Sequence, residues 1–300
     1  MTTRAGPLTS LGNVLDRAAA RLEAAGVPNA RHEARILWAS LCERAPAQAW
    51  LDRDHAAAPA AAERFDAAVA ARASGLPTQY ASGRAAFRHL DLLVDRRVLI
   101  PRPETEGLVE HVLRHFRLRA VRGDGARRGS WGVAVDVGTG SGCVALSLAT
   151  EGQFARVIAT DTSPDALAVA RANARRVRAA VTVEFCRGDL LAPVGMRVAA
   201  VVSNPPYIAD ADMDVLDAGV RDYEPAVALS GGPDGMVYIR RLVLECRSVI
   251  HAGGLLAIEI DSARATEALE QARAAGWTDA RVERDLFDRP RYLLATREPK

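Results

Sequence analysis

The chain has 300 residues, 49% of them hydrophobic and 25% charged, which are ordinary globular values and exclude a wholly disordered, collagen-like or coiled-coil protein. That length predicts two domains, with cores large enough to need no metal or disulfide staple. The net charge of +2 points to neither a nucleic-acid coat nor a membrane binder, yet it conceals +7 over residues 1–200 and −5 over residues 201–300. Lys300 is the only lysine, a compositional habit that accompanies heavy alanine usage. Cys42, Cys143, Cys186 and Cys246 form no CxxC pair and have no histidine cluster beside them, so they predict reduced, mostly buried thiols and no metal site. Met1–Leu8 has no apolar signal region and no run of about 18 apolar residues occurs, which predicts a soluble, cytoplasmic protein.

Residues 1–80 predict a small helical bundle. Thr9 or Ser10 caps a first helix with the stripe Leu11, Val14, Leu15, Ala18 and Leu22, closed by Gly26. A second helix is expected over Ala30–Cys42, with Ile36, Leu37 and Leu41 as its core face and Pro46 as its breaker, and a third from Pro59 to Gly75. Residues 81–100 read as a β-hairpin linker, its apolar runs flanking the polar turn Asp95–Arg97.

From residue 101 to 300, strands and helices alternate. Helices are expected over Glu104–Leu118, Cys143–Ala149, Pro164–Arg176, Asp234–Ile250 and Ala263–Ala274. Strands are expected at Val133–Val137, Val157–Thr160, Val181–Phe185, Val198–Ser203 and Leu255–Ile260, followed by an antiparallel pair within Arg281–Thr296. Arg119–Gly129 reads as a flexible, solvated loop in an arginine-rich stretch, with an electrostatic docking patch as the alternative. The alternation implies an α/β fold with a mainly parallel sheet covered on both faces.

Asp136–Gly142 follows an apolar strand and opens a helix, with glycines at 138, 140 and 142. Glycine lets the backbone turn sharply and approach a ligand closely. The next strand ends in Asp161, 23 residues after Gly138, where an acid accepts from both hydroxyls of a ribose. A dinucleotide fits this geometry, but Cys143 stands where a dinucleotide loop ends in Gly or Ala. The spacing led by Asp136 is similar to the first motif of S-adenosylmethionine-dependent methyltransferases, with Gly138, Thr139, Gly140, Ser141 and Gly142 as the cofactor loop. By the same likeness, Asp189 and Leu190 after the third strand would accept from the adenine amino group and pack on its ring.

The fourth strand ends in Ser203-Asn204-Pro205-Pro206-Tyr207. A planar nitrogen is a poor nucleophile because its lone pair is delocalised. The Asn204 side-chain carbonyl and the Pro205 backbone carbonyl can accept its two N–H bonds, turning the NH2 group toward a methyl donor and favouring the charge that develops on nitrogen. Proline presets that backbone and Tyr207 can pack on the planar group. Asn204, Pro205 and Tyr207 are therefore the candidate catalytic residues, and Asn204, Pro205, Pro206 and Tyr207 the substrate clamp, with Asn204 also facing the donor. The tetrapeptide serves adenine N6, guanine N2 and glutamine N5 equally. The absence of a recognisable target-reading domain, and six acids against one base in Asp210–Glu224, weigh mildly against nucleic acid.

A wider pattern is carried by Gln79-Tyr80, Gly83, Val98–Glu106, Asp136–Gly142, Asn204–Tyr207, Tyr223–Pro225, Leu229, Gly231, Gly235 and Glu259. It resembles the HemK-type protein-glutamine N5-methyltransferases over residues 10–296. Arg102–Thr105 is similar to the branch that modifies peptide chain release factors; the branch acting on a ribosomal protein is the alternative. The resemblance implies a seven-stranded Rossmann-like class I methyltransferase sheet, S-adenosylmethionine as cofactor, and the glutamine of a Gly-Gly-Gln loop as acceptor. It implies that Glu104 and Thr105 lie near the active site. Residues 1–80 would hold the release factor, with the cofactor cleft between the domains. A nucleic-acid amino-methyltransferase and a non-catalytic donor-binding regulator are the rivals. Two departures stand out: Leu190, where relatives often carry an aromatic, and Asp261, where they usually carry glycine.

Overall fold

A computed structural model describes residues 10–122 and 130–298. The chain divides into two compact units. One comprises the residues through Arg84 together with Asp217–Tyr223; the other runs from Ala85 to Leu216 and from Glu224 onward.

The first unit holds α1 (Leu11–Ala24), α2 (Ala30–Leu41), α3 (Pro46–Leu51), α4 (Pro59–Ala73) and α5 (Thr78–Ser82). Ser10 caps α1 by accepting from the Asn13 N–H, and the expected stripe, Leu11 to Leu22, is buried. Thr9 lies outside the described residues. On α2 the buried face centres on Ala34, Leu37 and Trp38, whereas Ile36 and Leu41 are only half-buried. Trp38 meets Phe65 of α4 edge-on, with ring centroids 5.3 Å apart. Pro46 does not break α2, which has already ended at Leu41; it starts α3, where its missing N–H costs nothing.

In the second unit, β1 (Arg84–Phe87, beginning at the unit boundary) and β2 (Leu90–Leu93) form a hairpin. Its turn is at Arg88-His89 and not at Asp95–Arg97; Arg88 adopts φ 51° there and its guanidinium is pinned by Glu110 and Glu151. Val98–Ile100 forms no strand. Helix α6 (Pro103–Arg122) continues past Leu118, so the arginine-rich stretch is helical as far as Arg122, and residues 123–129 lie outside the described residues.

The main sheet contains β3 (Val133–Val137), β4 (Arg156–Asp161), β5 (Val183–Arg187), β6 (Val198–Ser203), β7 (Ile250–Glu259), β8 (Arg281–Arg284) and β9 (Pro290–Thr296). Its order is β5-β4-β3-β6-β7-β9-β8, with β9 antiparallel to both neighbours. Helices α7 (Cys143–Glu151), α8 (Pro164–Arg176), α10 (Val237–Val249) and α11 (Ala265–Ala274) lie between the strands in sequence; α9 (Ala218–Arg221) belongs to the first unit. Two buried clusters, one containing Leu108, Phe116, Leu146 and Phe154 and the other Val201, Leu242, Leu256 and Trp277, form the cores. β6 is buried at all six positions, which explains its unbroken apolar run.

Two strands differ from the sequence expectation. β7 starts five residues early, because Gly253 at φ 76° permits a bulge across which Ile250 still pairs with Val198. β5 sits two residues later than expected, in the register where Val157 pairs with Val183.

The chain direction reverses its progress across the sheet beside β3: β4 and β5 extend to one side, β6 and β7 to the other. Ligands of such sheets bind outside the carboxyl ends of the strands at that point. Val137 and Ser203 are paired residues there, and the Ser203 hydroxyl donates to the Val137 carbonyl at 2.8 Å. That register sets the glycine loop after β3 beside the tetrapeptide after β6.

Candidate active site at the carboxyl ends of the central strands

A cavity of about 360 Å3 opens at this point, and every residue lining it belongs to the second unit. Gly138, Gly140, Asp161, Asp189, Leu190, Asn204, Pro205 and Pro206 all line it. Thr139, Ser141, Gly142 and Tyr207 do not.

The glycine loop is held from beneath. Asp136 is buried on β3, where its Oδ2 accepts from the Thr139 hydroxyl at 2.6 Å and from the Ala145 N–H at 3.0 Å. Burial pushes its carboxyl up to about 7, and these two hydrogen bonds oppose the rise. Thr139 thus faces the protein interior. Gly138 and Gly140 adopt φ 73° and 54°, and a Cβ built on either would meet no atom within 4 Å. The loop therefore offers bare backbone to open space.

Asp161 ends β4. Its Oδ2 accepts from Gly140 N–H and its Oδ1 from Ser163 N–H, each at 2.9 Å. Asp189 is exposed, and Arg241 of α10 donates to its two oxygens at 3.1 and 2.8 Å. Sequence reasoning missed this pair, since nothing in either neighbourhood links residues 52 apart. Leu190 is buried at φ 45°, and its carbonyl accepts from the Thr160 hydroxyl.

Asn204 follows β6. Its Nδ2 donates to Thr105 Oγ1 at 2.9 Å; Thr105 donates to Glu259 Oε2 at 2.7 Å; and Tyr207 donates from its hydroxyl to Glu259 Oε1 at 3.2 Å. Burial pushes the Glu259 carboxyl up to about 7, with Thr105, Arg291 and Tyr207 opposing. Among the described residues, no group donates to the Pro205 carbonyl or to Asn204 Oδ1. Thr105 stands at the site as the resemblance implied. Glu104 turns away: its carboxylate accepts from Arg289 and it lines a second cavity with Arg88, Glu110 and Phe287.

The acids of Asp210–Glu224 are not one solvated rim. Glu224 is buried, accepts from Ile100 N–H at 3.1 Å and pairs with Arg102 at 2.5 Å, tying the segment before α6 to the loop beyond the tetrapeptide. Asp261 also has a physical role: its Oδ1 accepts from Ala263 N–H at 3.0 Å, capping the turn that follows β7. No metal-holding cluster of His, Cys, Asp or Glu occurs among the described residues, nor any helix long and apolar enough to cross a membrane.

Two family models match, a PrmC N-terminal domain over residues 13–83 and a methyltransferase small domain over residues 126–222. A release factor glutamine methyltransferase of Moorella thermoacetica is 44% identical over 292 residues, covering 96% of this chain and 99% of its own. The chain belongs to the release factor glutamine methyltransferase family. Another member, from Koribacter versatilis, is 39% identical over 95% of this chain and 98% of its own. A solved methyltransferase from Pyrococcus furiosus, 18% identical, superimposes with a TM-score of 0.51 over 71% of this chain and 92% of that one, in keeping with the class I methyltransferase fold.

Family membership makes this an S-adenosylmethionine-dependent enzyme. The cavity fits that cofactor on its own evidence. It has the size of small-molecule sites, a bare glycine backbone on one wall and a carboxylate at the end of the neighbouring strand.

Proposed function

We propose that the chain methylates the side-chain amide nitrogen (N5) of the glutamine in the Gly-Gly-Gln loop of peptide chain release factors. The observation that carries this reading is Asn204. It lines the cavity with Nδ2 held by Thr105, so its Oδ1 and the adjacent Pro205 carbonyl are the acceptors left for a planar NH2 group.

In this reading, backbone from Gly138 to Gly142 lies against the donor, with Thr139, Ser141 and Gly142 shaping the loop from behind. Asp161 accepts from the ribose hydroxyls, and Asp189 and Leu190 flank the adenine. S-adenosyl-L-methionine, when bound, supplies an electrophilic methyl group on a sulfonium, with a neutral thioether as leaving group. Asn204 and Pro205 orient the acceptor nitrogen and stabilise the positive charge growing on it, while Pro206 and Tyr207 hold that backbone in place. The proton lost afterwards is acidic, so no strong base is required of the protein.

The first unit would hold the release factor while one side chain enters the cavity. In support, α3 exposes two large apolar side chains, Trp50 at 54% and Leu51 at 61%. Cytoplasmic location follows from such a substrate.

The deciding experiment incubates the protein and labelled donor with separate pools of release factor, ribosomal proteins, RNA and DNA. Label is expected on the release-factor glutamine. Label confined to ribosomal protein or nucleic acid refutes the reading, and donor binding without any transfer would make the chain a regulator.

A further inference from the structure

Asn204, Thr105 and Glu259 form a chain of hydrogen bonds whose protons can be counted, with Thr105 in the middle. Thr105 is buried on α6 and Glu259 closes β7, both in the second unit. A hydroxyl has one proton and two lone pairs. The Thr105 proton goes to Glu259 Oε2, so Thr105 offers Asn204 only a lone pair. A side-chain amide can face either way, and its partners decide which. With NH2 toward Thr105 the contact is a hydrogen bond of 2.9 Å. Reversed, Asn204 Oδ1 would meet a lone pair, and two acceptors would stand together without a donor.

Glu259 is the anchor. It is 1% exposed; Thr105 from α6 and Tyr207 beyond β6 bond it, and the charges of Arg291 on β9 and of Glu104 on α6 act on it. The count holds for the ionised carboxyl, and for a neutral one whose proton sits on Oε1, where it would be donated to the Tyr207 hydroxyl 3.2 Å away while Oε2 still accepts from Thr105.

We propose that Thr105, anchored by Glu259, is a positioning residue that fixes the orientation of the Asn204 amide, so that Oδ1 and not Nδ2 meets the nitrogen to be methylated. The inference rests on the acceptor being a planar NH2 group, as proposed above. With the amide reversed, two NH2 groups would face one another, and neither orientation nor charge stabilisation would result.

The test compares Thr105→Val, Thr105→Ser and Glu259→Leu in the full chain, with donor calorimetry as the control for folding. Thr105→Val removes the hydroxyl at nearly constant volume. Glu259→Leu removes the acceptor of the Thr105 proton and frees that proton for Asn204 Oδ1. Both are expected to lower kcat on intact release factor by about 10- to 100-fold, with KM and donor affinity changed by less than about threefold. Thr105→Ser is expected to recover most of the loss seen in Thr105→Val. The double variant Thr105→Val/Asn204→Ala should be no slower than Asn204→Ala alone. In donor-free protein, the Asn204 side-chain NH2 resonances, assigned by their disappearance in Asn204→Ala, should shift in Thr105→Val and not in Thr105→Ser. Wild-type kcat in Thr105→Val or Glu259→Leu overturns the inference, as does a Ser variant no better than Val. If Thr105→Val fails to bind donor, Glu259→Leu decides by the same comparison. A wild-type protein that leaves the release factor unlabelled would instead sink the substrate assignment, and the Asn204 resonances would still decide the orientation.

Discussion

The backbone N–H of Gly140 donates to Oδ2 of Asp161 at 2.9 Å. One carboxylate thus ties the loop after β3 to the end of β4, while Ser163 N–H holds its other oxygen. Asp161→Ala removes both of these bonds together with the proposed ribose acceptor. Donor affinity is expected to fall by about tenfold or more, with a smaller effect on the kcat reached at saturating donor. Calorimetry with S-adenosylmethionine checks this, and wild-type affinity would remove Asp161 from the donor site.

Asn204→Ala deletes one of the two proposed acceptors for the substrate amide and leaves the glycine loop and Asp161 untouched. Turnover should drop by about 100-fold or more while the donor still binds. Single-turnover methyl transfer to a release factor measures it, and near-normal rates would rule out the assigned role.

Gly235, at φ 75°, packs under the tetrapeptide: an added Cβ would lie 2.3 Å from the Tyr207 carbonyl oxygen. Gly231 is equally confined, its Cβ position lying 2.8 Å from the Pro206 carbonyl. Gly235→Ala is therefore expected to cost about 2–4 kcal/mol through strain and backbone displacement, and to lower kcat by shifting Pro206 and Tyr207. Urea unfolding and kinetics read the two effects; unchanged stability would mean the segment yields freely.

Glu259 makes stability depend on pH. Its carboxyl rises from the ordinary 4.5 to about 7 because it is buried. Between these values the unfolded chain releases the proton and the folded chain keeps it, so stability falls as pH rises through that window and is level above it. Relative to Glu259→Gln, the wild type should lose on the order of 3 kcal/mol from pH 4.5 to 7. The subtraction cancels the similar contribution of Asp136. Parallel urea titrations at several pH values across that range provide the measurement, and a constant difference would contradict it.

Trp50 tests the role of the helical unit. Trp50→Ala removes an exposed ring, over which the Arg53 guanidinium lies 5.1 Å from the centroid, without opening a core. Release-factor affinity should weaken by about tenfold or more with donor affinity unchanged. Unaltered affinity for the release factor would place its docking elsewhere.

Local pattern made most of this architecture legible. The strands Val133–Val137 and Val198–Ser203 and the helix Pro164–Arg176 fall at the residues expected, because a fully buried strand and a capped amphipathic helix each carry their own signal. The hairpin turn, the bulged start of β7 and the helical continuation to Arg122 were not legible. Each depends on a partner distant in sequence: Glu110 and Glu151 for Arg88, Val198 for Ile250, and the Gly253 carbonyl, which accepts from Arg119 in the last part of α6.

The candidate site divides in the same way. Asn204, Pro205, the glycines and Asp161 announce themselves, because turn geometry and amide chemistry restrict which residues can serve there. Their orientation does not, since hydrogen bonds to Asn204, Asp189 and Glu259 come from residues 99, 52 and 154 positions away. The sequence by itself determined the fold class, the family and the atoms available for chemistry. Only the tertiary structure decided which way those atoms face, because a buried side chain turns to whatever donor or acceptor the packing brings beside it.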